Sequence, residues 1–252
     1  MSAMPVASPA PDPAANDAVH ARLWRQIEPF ALPHDLRAVV PGDRLARAKQ
    51  PIGHLIVPVS AVVVVARQNS RDRVPLTVGL VGSEGVLGWP VLMDRPIWSH
   101  DAIALVAGQV ATVAADVVLA ACRAEPRLQS LLLRVAHNYG LQLAQSVVAN
   151  LGHSVERRLA RWLLMLHDRT TGDSLALTHE QIATLLNVRR ATVTDALHVI
   201  EGDRLIKATR GRILVRDRAG LERVAAMSYG FHESDYRETI GPFGKGLPTE
   251  QP

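Results

Sequence analysis

Hydrophobic and polar residues follow two different periods along this 252-residue chain, and the change falls near residue 115. Between residues 32 and 112, short runs of valine, isoleucine and leucine are separated by glycine, proline, asparagine and aspartate, which is typical of β-strands joined by turns. The strongest strand candidates are residues 55–59, 61–66, 76–80 and 103–113. Their spacing predicts a compact antiparallel β-sandwich or roll, preceded by a short amphipathic helix over residues 21–30.

A period near 3.6 residues begins at Asp116 and continues, with interruptions, to Asp168. Asp116 suits the N-cap of a short helix that ends near Cys122, and Pro126 suits the first turn of a longer helix that runs to about Leu151. At 1.5 Å per residue the longer helix would measure roughly 39 Å, which is well beyond the usual three turns. We therefore expect a supporting partner beside it.

The longer helix carries an apolar stripe beside a row of small side chains. Gly140 lies in this row, and a glycine inside an exposed helix costs about 1 kcal/mol relative to alanine, so its presence indicates that another backbone comes close. We predict that this face joins two copies of the chain, with packing against the chain's own β-domain as the alternative. The predicted dimer interface comprises Leu132, Val135, Ala136, Tyr139, Gly140 and Leu143.

The most informative pattern lies between residues 173 and 203. Thr178 followed by Gln181 is a capping box, which marks the start of a helix. Asn187 stands where the chain must turn sharply, and asparagine tolerates the left-handed conformation better than most residues with a side chain. A second helix then begins at Arg189 or Arg190, so the spacing predicts a helix-turn-helix.

Basic residues concentrate around this motif. Residues 205–209 and 212–216 alternate like two strands around an Arg210-Gly211 turn, which predicts a hairpin wing, and residues 204–218 contain six basic residues and one acidic residue. A major groove about 12 Å wide accepts a helix, and arginine at its start binds guanine O6 and N7 or a phosphate. The predicted partner is therefore double-stranded DNA. The residues predicted to contact it are Thr178, His179, Arg189, Arg190, Ala191, Thr192, Thr194, Asp195, Arg210 and Arg212.

The overall composition permits a DNA partner without requiring one, because the formal net charge is only +4. The single cysteine, Cys122, excludes a disulfide within the chain, a cysteine-ligated iron–sulfur cluster and a multi-cysteine zinc site. We expect Cys122 to be a small buried hydrophobe. No cofactor or metal is predicted, but the ten histidines leave a haem ligand open.

Other classes of protein fit the chain less well. The first twenty residues contain no lysine or arginine, and the longest apolar stretch is far shorter than the roughly 20 residues that cross a bilayer, so we expect a cytoplasmic protein without a membrane partner. Residues 82–85, Gly-Ser-Glu-Gly, do not form a Gly-x-Ser-x-Gly elbow, and the sequence contains no Gly-x-x-x-x-Gly-Lys loop. An enzyme is therefore not expected. The main alternative is a small-molecule-binding or protein-interaction module whose winged helix does not bind DNA.

The sequence resembles the Crp/Fnr family of bacterial transcription regulators from about Leu23 to Ala226. The resemblance is strongest in HSVERRLARWLLMLHD, LTHEQIATLLNVRRATVTDALHVIEGDRLI and GRILVRDRAGLERVA, and residues 78–93 and 102–113 are less specifically similar to the family's cyclic-nucleotide-binding-like β-roll. It implies a homodimer that binds a two-fold symmetric DNA site and contacts RNA polymerase. The α+β organisation that we expect is a disordered leader (1–20), a β-roll sensor domain (21–124), a dimerisation helix (125–152), a winged helix-turn-helix (153–227) and a flexible tail (228–252).

Departures from the family pattern concern the effector. In members that bind cyclic AMP, a Gly-Glu pair and an Arg-Ser or Arg-Thr pair hold the ribose and the phosphate. Here Trp89 follows Gly88, and His100 and Asp101 stand where the second pair would be. Because a carboxylate at that place repels a phosphate, we expect no response to cyclic AMP. These four residues are the predicted pocket for a small-molecule effector that the sequence does not identify.

Overall fold

A computed structural model describes residues 22–68 and 75–245, and it shows an α+β chain with an N-terminal antiparallel roll and a C-terminal helix-turn-helix, as predicted. The strands are β1 (Asp35–Val39), β2 (Arg44–Ala46), β3 (His54–Pro58), β4 (Val62–Gln68), β5 (Pro75–Val81), β6 (Asp101–Val106), β7 (Gly108–Ala114), β8 (Ser174–Leu175), β9 (Ile206–Thr209) and β10 (Arg212–Val215). The α-helices are α1 (Arg22–Ile27), α2 (Ala115–Ala124), α3 (Pro126–Gly152), α4 (Val155–His167), α5 (His179–Leu186), α6 (Arg190–Gly202), α7 (Arg218–Ala225) and α8 (Phe231–Thr239). The predicted leader lies outside the described residues.

Two antiparallel sheets form the β-roll, with strand orders β1-β7-β3 and β2-β6-β4-β5. The sequence predicted one strand over residues 103–113, whereas the structure divides this segment between the two sheets at Gly108. The chain passes so close to its neighbour there that a Cβ atom on Gly108 would lie 2.4 Å from the backbone nitrogen of Ala61. The glycine therefore marks the corner where the chain leaves one sheet and enters the other.

Strand β4 begins with an unbroken apolar run because both of its faces are buried. Val63 and Val65 belong to the core inside the roll. Val62, Val64 and Ala66 belong to a second core, which the roll shares with the helices of the C-terminal domain. The outer face of this sheet is therefore the surface on which the helix-turn-helix domain packs.

The start of α2 differs in detail from the prediction. The N-cap is Ala114, and Asp116 lies inside the first turn, where its Oδ1 accepts a hydrogen bond from the backbone nitrogen of Val117 at 2.9 Å. Cys122 is buried in this helix as expected, and burial raises the pKa of its thiol. The long helix α3 spans 27 residues from Pro126, close to the predicted length.

The predicted dimer interface is wrong for three residues of α3. Leu132, Val135 and Ala136 are buried within the chain, and the first two belong to the core formed with the β-roll. Tyr139 also faces the roll, since its hydroxyl lies 2.8 Å from the position that a Cβ on Gly79 would occupy. The apolar stripe identified the buried face of the helix, but the chain's own roll covers it. Of the remaining predicted residues, Gly140 is exposed and Leu143 is half-buried.

The predicted flexible tail is wrong for residues 228–245. A 3₁₀ turn at Ala226–Ser228 leads into α8, and two aromatic residues after the turn, Tyr236 and Phe243, are each 1% exposed. Residues 246–252 lie outside the described part of the chain. Among the described residues, the helices include none with the length and apolar character needed to span a bilayer.

Candidate nucleic-acid interface

Helices α5 and α6 form the predicted helix-turn-helix. The capping and turn residues identified in the sequence make the contacts that define its helix ends. Thr178 Oγ1 accepts a hydrogen bond from the backbone nitrogen of Gln181 at 3.2 Å, and Gln181 Oε1 accepts one from the backbone nitrogen of Thr178 at 2.8 Å. Asn187 ends α5 in the left-handed conformation, with φ 52° and ψ 53°. Arg189 is the N-cap residue of α6, which begins at Arg190. The capping box and the turn are therefore confirmed.

The inner face of α6 fixes the position of the outer face. Val193, Ala196, Leu197 and Ile200 are each at most 1% exposed and belong to the core that includes α4 and α5. Burial of each of the larger of these side chains stabilises the fold by about 1.5–3 kcal/mol. The helix can therefore present its outer face without rearranging.

The outer face of α6, which we call the recognition face, consists of the exposed residues Arg189, Arg190, Ala191, Asp195 and His198. These residues make a surface with two guanidinium groups at the helix start and one carboxylate a turn later.

Predicted contact residues at the edge of the recognition face are partly exposed. Thr192 and Thr194 are half-buried on α6. His179, at the start of α5, is also half-buried, and its Nδ1 lies 3.1 Å from Thr194 Oγ1. This contact ties the N-terminus of α5 to the middle of the recognition helix.

The wing is a sheet of three strands, with order β8-β10-β9, where the sequence predicted two. Strand β8 is only two residues long, and such a short segment carries no periodic signal. Gly211 makes the hairpin turn at φ 73°, and Arg210 and Arg212 are exposed as predicted. Both charges therefore lie at the tip of the hairpin.

One of the six basic residues counted in the wing region does not contribute to this surface. Arg218 lies 2.8 Å from Asp168, whose side chain is fully buried, and 2.9 Å from Glu222. The exposed cations of the wing are therefore Arg204, Lys207, Arg210, Arg212 and Arg216.

The structure separates the four residues of the predicted effector pocket. Trp89 and Asp101 line an open cleft of 1180 Å³ on the β-roll, whereas Gly88 and His100 do not line it. Gly88 has φ 88°, and a Cβ there would lie 3.0 Å from the carbonyl oxygen of His54. Burial and the neighbouring Arg67 lower the pKa of His100.

The cleft is basic and partly aromatic. Asp101 is already engaged, since its Oδ1 accepts a hydrogen bond from Ala48 N at 2.8 Å and its Oδ2 lies 3.6 Å from Arg44. A second tryptophan, Trp98, also lines the cleft. The cations around it are Arg44, Arg47, Lys49, Arg67 and Arg95. In residues 22–68 and 75–245, no group of three or more His, Cys, Asp or Glu side chains is placed to hold a metal ion.

Comparison with known proteins agrees with this geometry. Residues 157–224, from α4 to α7, match the model of the Crp-like helix-turn-helix domain. The chain has the Crp/Fnr fold. The fold implied by the resemblance to the Crp/Fnr family is therefore confirmed. No curated protein sequence matches the chain.

Solved structures of the Crp/Fnr fold cover most of this chain. A CRP-family transcriptional regulator from Thermus thermophilus has a TM-score of 0.62 at 20% identity, over 75% of this chain and 96% of that one. FixK2 from Bradyrhizobium japonicum has a TM-score of 0.64 at 18% identity, over 77% and 98%. The c-di-GMP-responsive global regulator CLP from Xanthomonas campestris has a TM-score of 0.55 at 16% identity, over 77% and 98%. The matched Crp-like domain ends before α8, so the segment that contains α8 lies beyond it.

Proposed function

We propose that this chain is a sequence-specific DNA-binding transcription regulator that binds a two-fold symmetric site as a homodimer. The observation that carries the proposal is the recognition face, where two exposed arginines begin a helix whose opposite face is buried. A helix held in this way enters a major groove with its N-terminal residues against the base edges. The exposed cations of the wing then lie beside the phosphate backbone, which supplies affinity without sequence information.

The chemistry of the recognition face points to the bases that it reads. Arg190 suits a bidentate contact with guanine O6 and N7. Asp195 presents a carboxylate that accepts a hydrogen bond from the N4 amine of cytosine, and it repels a phosphate. We therefore expect the preferred half-site to contain guanine and cytosine at the positions that these two side chains reach.

The exposed face of α3 supports a homodimer. Val147, Val148 and Leu151 are 57%, 55% and 85% exposed, and at Gly140 no described atom outside this helix lies within 4 Å of the position where a Cβ would stand. These residues share one side of a 27-residue helix, and a second copy would cover this apolar row. Two copies would then present two recognition faces to one symmetric operator.

The basic cleft supports an effector site for an anion. Among the described residues, Arg44 is the cation of the cleft that pairs with Asp101. The other four cations line the same cleft as Asp94 and as Trp89 and Trp98, which offer aromatic surface for a planar group. We expect cyclic AMP not to be the ligand, because His100 and Asp101 stand where cyclic-AMP-binding members have an Arg-Ser or Arg-Thr pair. Calorimetry that shows micromolar affinity for cyclic AMP would overturn this expectation.

The test of DNA binding begins with duplexes selected from a random pool by the purified chain. Fluorescence anisotropy on the selected duplex and on a scrambled one, at several salt concentrations, then measures affinity and its salt slope. Arg190→Ala should reduce the binding free energy for the selected duplex by about 1–3 kcal/mol, and it should reduce the ratio of the affinities for the selected and scrambled duplexes. Arg212→Ala should weaken both duplexes similarly and reduce the salt slope by about 1.

The matched control is Arg37→Ala, which removes an exposed arginine from β1 of the roll and should leave binding unchanged. If the chain shows no salt-dependent binding to any duplex, the DNA proposal fails, and the alternative of a small-molecule-binding or protein-interaction module is favoured. If Arg190→Ala and Arg212→Ala weaken both duplexes equally, the roles assigned to them are wrong.

A further inference from the structure

The C-terminal segment, which we define as residues 226–245, packs along α3. Asn138 Nδ2 donates hydrogen bonds to the carbonyl oxygen of His232 at 2.7 Å and to Asp235 Oδ2 at 2.9 Å. Asn138 is 5% exposed, and its bond to His232 is buried whereas its bond to Asp235 is partly buried. A polar side chain buried in this way needs its partners, because leaving them unpaired costs about 1–3 kcal/mol. The segment is therefore bound to the long helix at a defined position.

The same segment also contacts the β-roll and its leading helix. Tyr236 is 1% exposed, and its hydroxyl donates to the carbonyl oxygen of Glu84 at 3.0 Å. The ring of Phe243 lies between two guanidinium groups, with Arg22 of α1 and Arg169 each 5.1 Å from the ring centroid. Cation–π contacts of this kind contribute most when they are shielded from water, as this one is.

A third set of contacts reaches the Crp-like domain. Arg161 on α4 is 1% exposed, and its Nε donates to the carbonyl oxygen of Ser228 at 2.9 Å. The buried carboxylate of Asp168 accepts from the Tyr229 hydroxyl at 2.5 Å and from the backbone nitrogen of Lys245 at 2.9 Å. The two ends of the segment are therefore anchored on the domain that carries the recognition face.

Beneath the segment, the β-roll and the Crp-like domain share a buried ion pair. Arg169 Nη2 lies 2.8 Å from Glu84 Oε1, and the two side chains are 1% and 7% exposed. Removing one partner of a buried ion pair strongly destabilises the fold, because the other charge is left buried without compensation. Tyr236 and Phe243 lie against these two residues, so the C-terminal segment contributes to the surroundings of the pair.

We propose that the C-terminal segment is an intramolecular clamp that fixes the orientation of the Crp-like domain relative to the β-roll and α3. The effect of the clamp on DNA binding rests on the proposed function. Helices α3 and α4 are joined by His153 and Ser154, and the segment bonds to Asn138 on α3 and to Arg161 on α4, so it ties together the helices on both sides of this link. Two recognition faces must lie about one helical turn of DNA apart to bind one operator together. The clamp presets that arrangement and so removes part of the ordering cost of binding.

The test compares two ways of releasing the clamp with two controls in the full chain. One variant ends after Met227, and the other carries Tyr236→Phe together with Phe243→Leu, which keeps the shapes but removes the hydrogen bond and the aromatic contact. The controls are a chain that ends after Lys245 and the variant Glu238→Gln, an exposed residue of α8. Circular dichroism shows which of these proteins fold. If the chain that ends after Met227 does not fold, the double variant alone tests the clamp.

Hydrogen exchange followed by mass spectrometry reports on the clamp itself. We expect faster exchange in β5 and α5, which meet at the boundary between the roll and the Crp-like domain, in both released variants and in neither control. Affinity for a selected duplex with two half-sites should fall about tenfold, while affinity for a duplex with one half-site stays unchanged.

Unchanged exchange in the released variants would overturn the clamp, as would an unchanged or raised affinity for the duplex with two half-sites. If the unaltered chain binds no DNA, the proposed function fails, but the exchange measurement still tests the clamp.

Discussion

The buried carboxyl group of Glu233 should give the stability of this protein a pH dependence that one substitution removes. Glu233 is 0% exposed, and its Oε2 accepts a hydrogen bond from the backbone nitrogen of Gly230 at 2.9 Å. Burial and the neighbouring Asp168 raise the pKa of Glu233 from 4.5 to about 7. His232 Nδ1 lies 3.1 Å from the same oxygen, but burial lowers the pKa of His232 well below 6.5. Near neutral pH the imidazole of His232 therefore favours its neutral form, so this contact is not an ion pair.

The sign of the effect follows from the two pKa values of Glu233. The folded protein holds this proton more tightly than the unfolded chain, so the free energy of unfolding falls as pH rises from about 4.5 through about 7. A separation of about 2.5 pH units corresponds to a loss of about 3 kcal/mol once the pH exceeds both pKa values. Glu233→Gln keeps an acceptor for Gly230 without the charge, so it should abolish this loss. The lowered pKa of His232 acts in the opposite direction, with stability lost as pH falls below 6.5, and it is common to both proteins.

The measurement is urea unfolding of both proteins at pH values below, within and above this range. The free energies of unfolding should agree at the lowest pH, and Glu233→Gln should be the more stable protein above pH 7 by up to about 3 kcal/mol. Glu238→Gln, on the exposed side of the same helix, is the matched control and should follow the unaltered protein. Parallel pH profiles for Glu233→Gln and the unaltered protein would refute the assignment.

Two further substitutions test other parts of the structure. Val148→Glu places a carboxylate on the exposed apolar row of α3, so sedimentation velocity should show a shift from dimer to monomer. A dimer that persists in this variant would mean that two copies associate through another surface. Asn187→Val places a β-branched residue at φ 52°, so the free energy of unfolding should fall by about 1–2 kcal/mol, whereas Asn187→Gly should change it little. Equal stability of the valine and glycine variants in urea would contradict the backbone argument.

The recognition face could be predicted because its determinants are local. A capping box needs residues three apart, and the turn needs one residue that tolerates a left-handed backbone, as Thr178, Gln181 and Asn187 show. The buried face of α6 follows from a period of 3.6 residues. Each signal lies within a few residues of the feature it determines, so the sequence alone locates the motif to within one residue.

The partner of the apolar stripe on α3 and the clamp could not be predicted in the same way because their determinants are distant. The stripe through Leu132 and Val135 shows that one face of α3 is covered, but no local pattern tells whether the chain or its copy covers it. The ion pair between Glu84 and Arg169 joins residues that are 85 positions apart in the sequence. Charged residues are ordinarily exposed to solvent, so the sequence does not indicate that these two are buried.

A signal for the clamp was nevertheless present in the composition of the C-terminal segment. Four of the six tyrosine and phenylalanine residues of the chain lie within residues 226–245: Tyr229, Phe231, Tyr236 and Phe243. Disordered segments are poor in aromatic residues, because such residues favour burial. The glycine, proline and charged residues of the segment are typical of a mobile tail, but several of these charged residues make buried contacts in the structure.

The apolar run in β4 explains how an event on the β-roll would reach the recognition face. Alternate residues of this strand belong to two different cores, one inside the roll and one shared with α4, α5 and α6. Arg67, which lines the basic cleft, directly follows Ala66, which belongs to the shared core. Asp101, at the start of β6, lines the same cleft and pairs in the sheet with Ala66. A ligand that displaces the ends of β4 and β6 would therefore act on packed side chains that touch the Crp-like domain, and contiguous packed side chains of this kind carry coupling between sites.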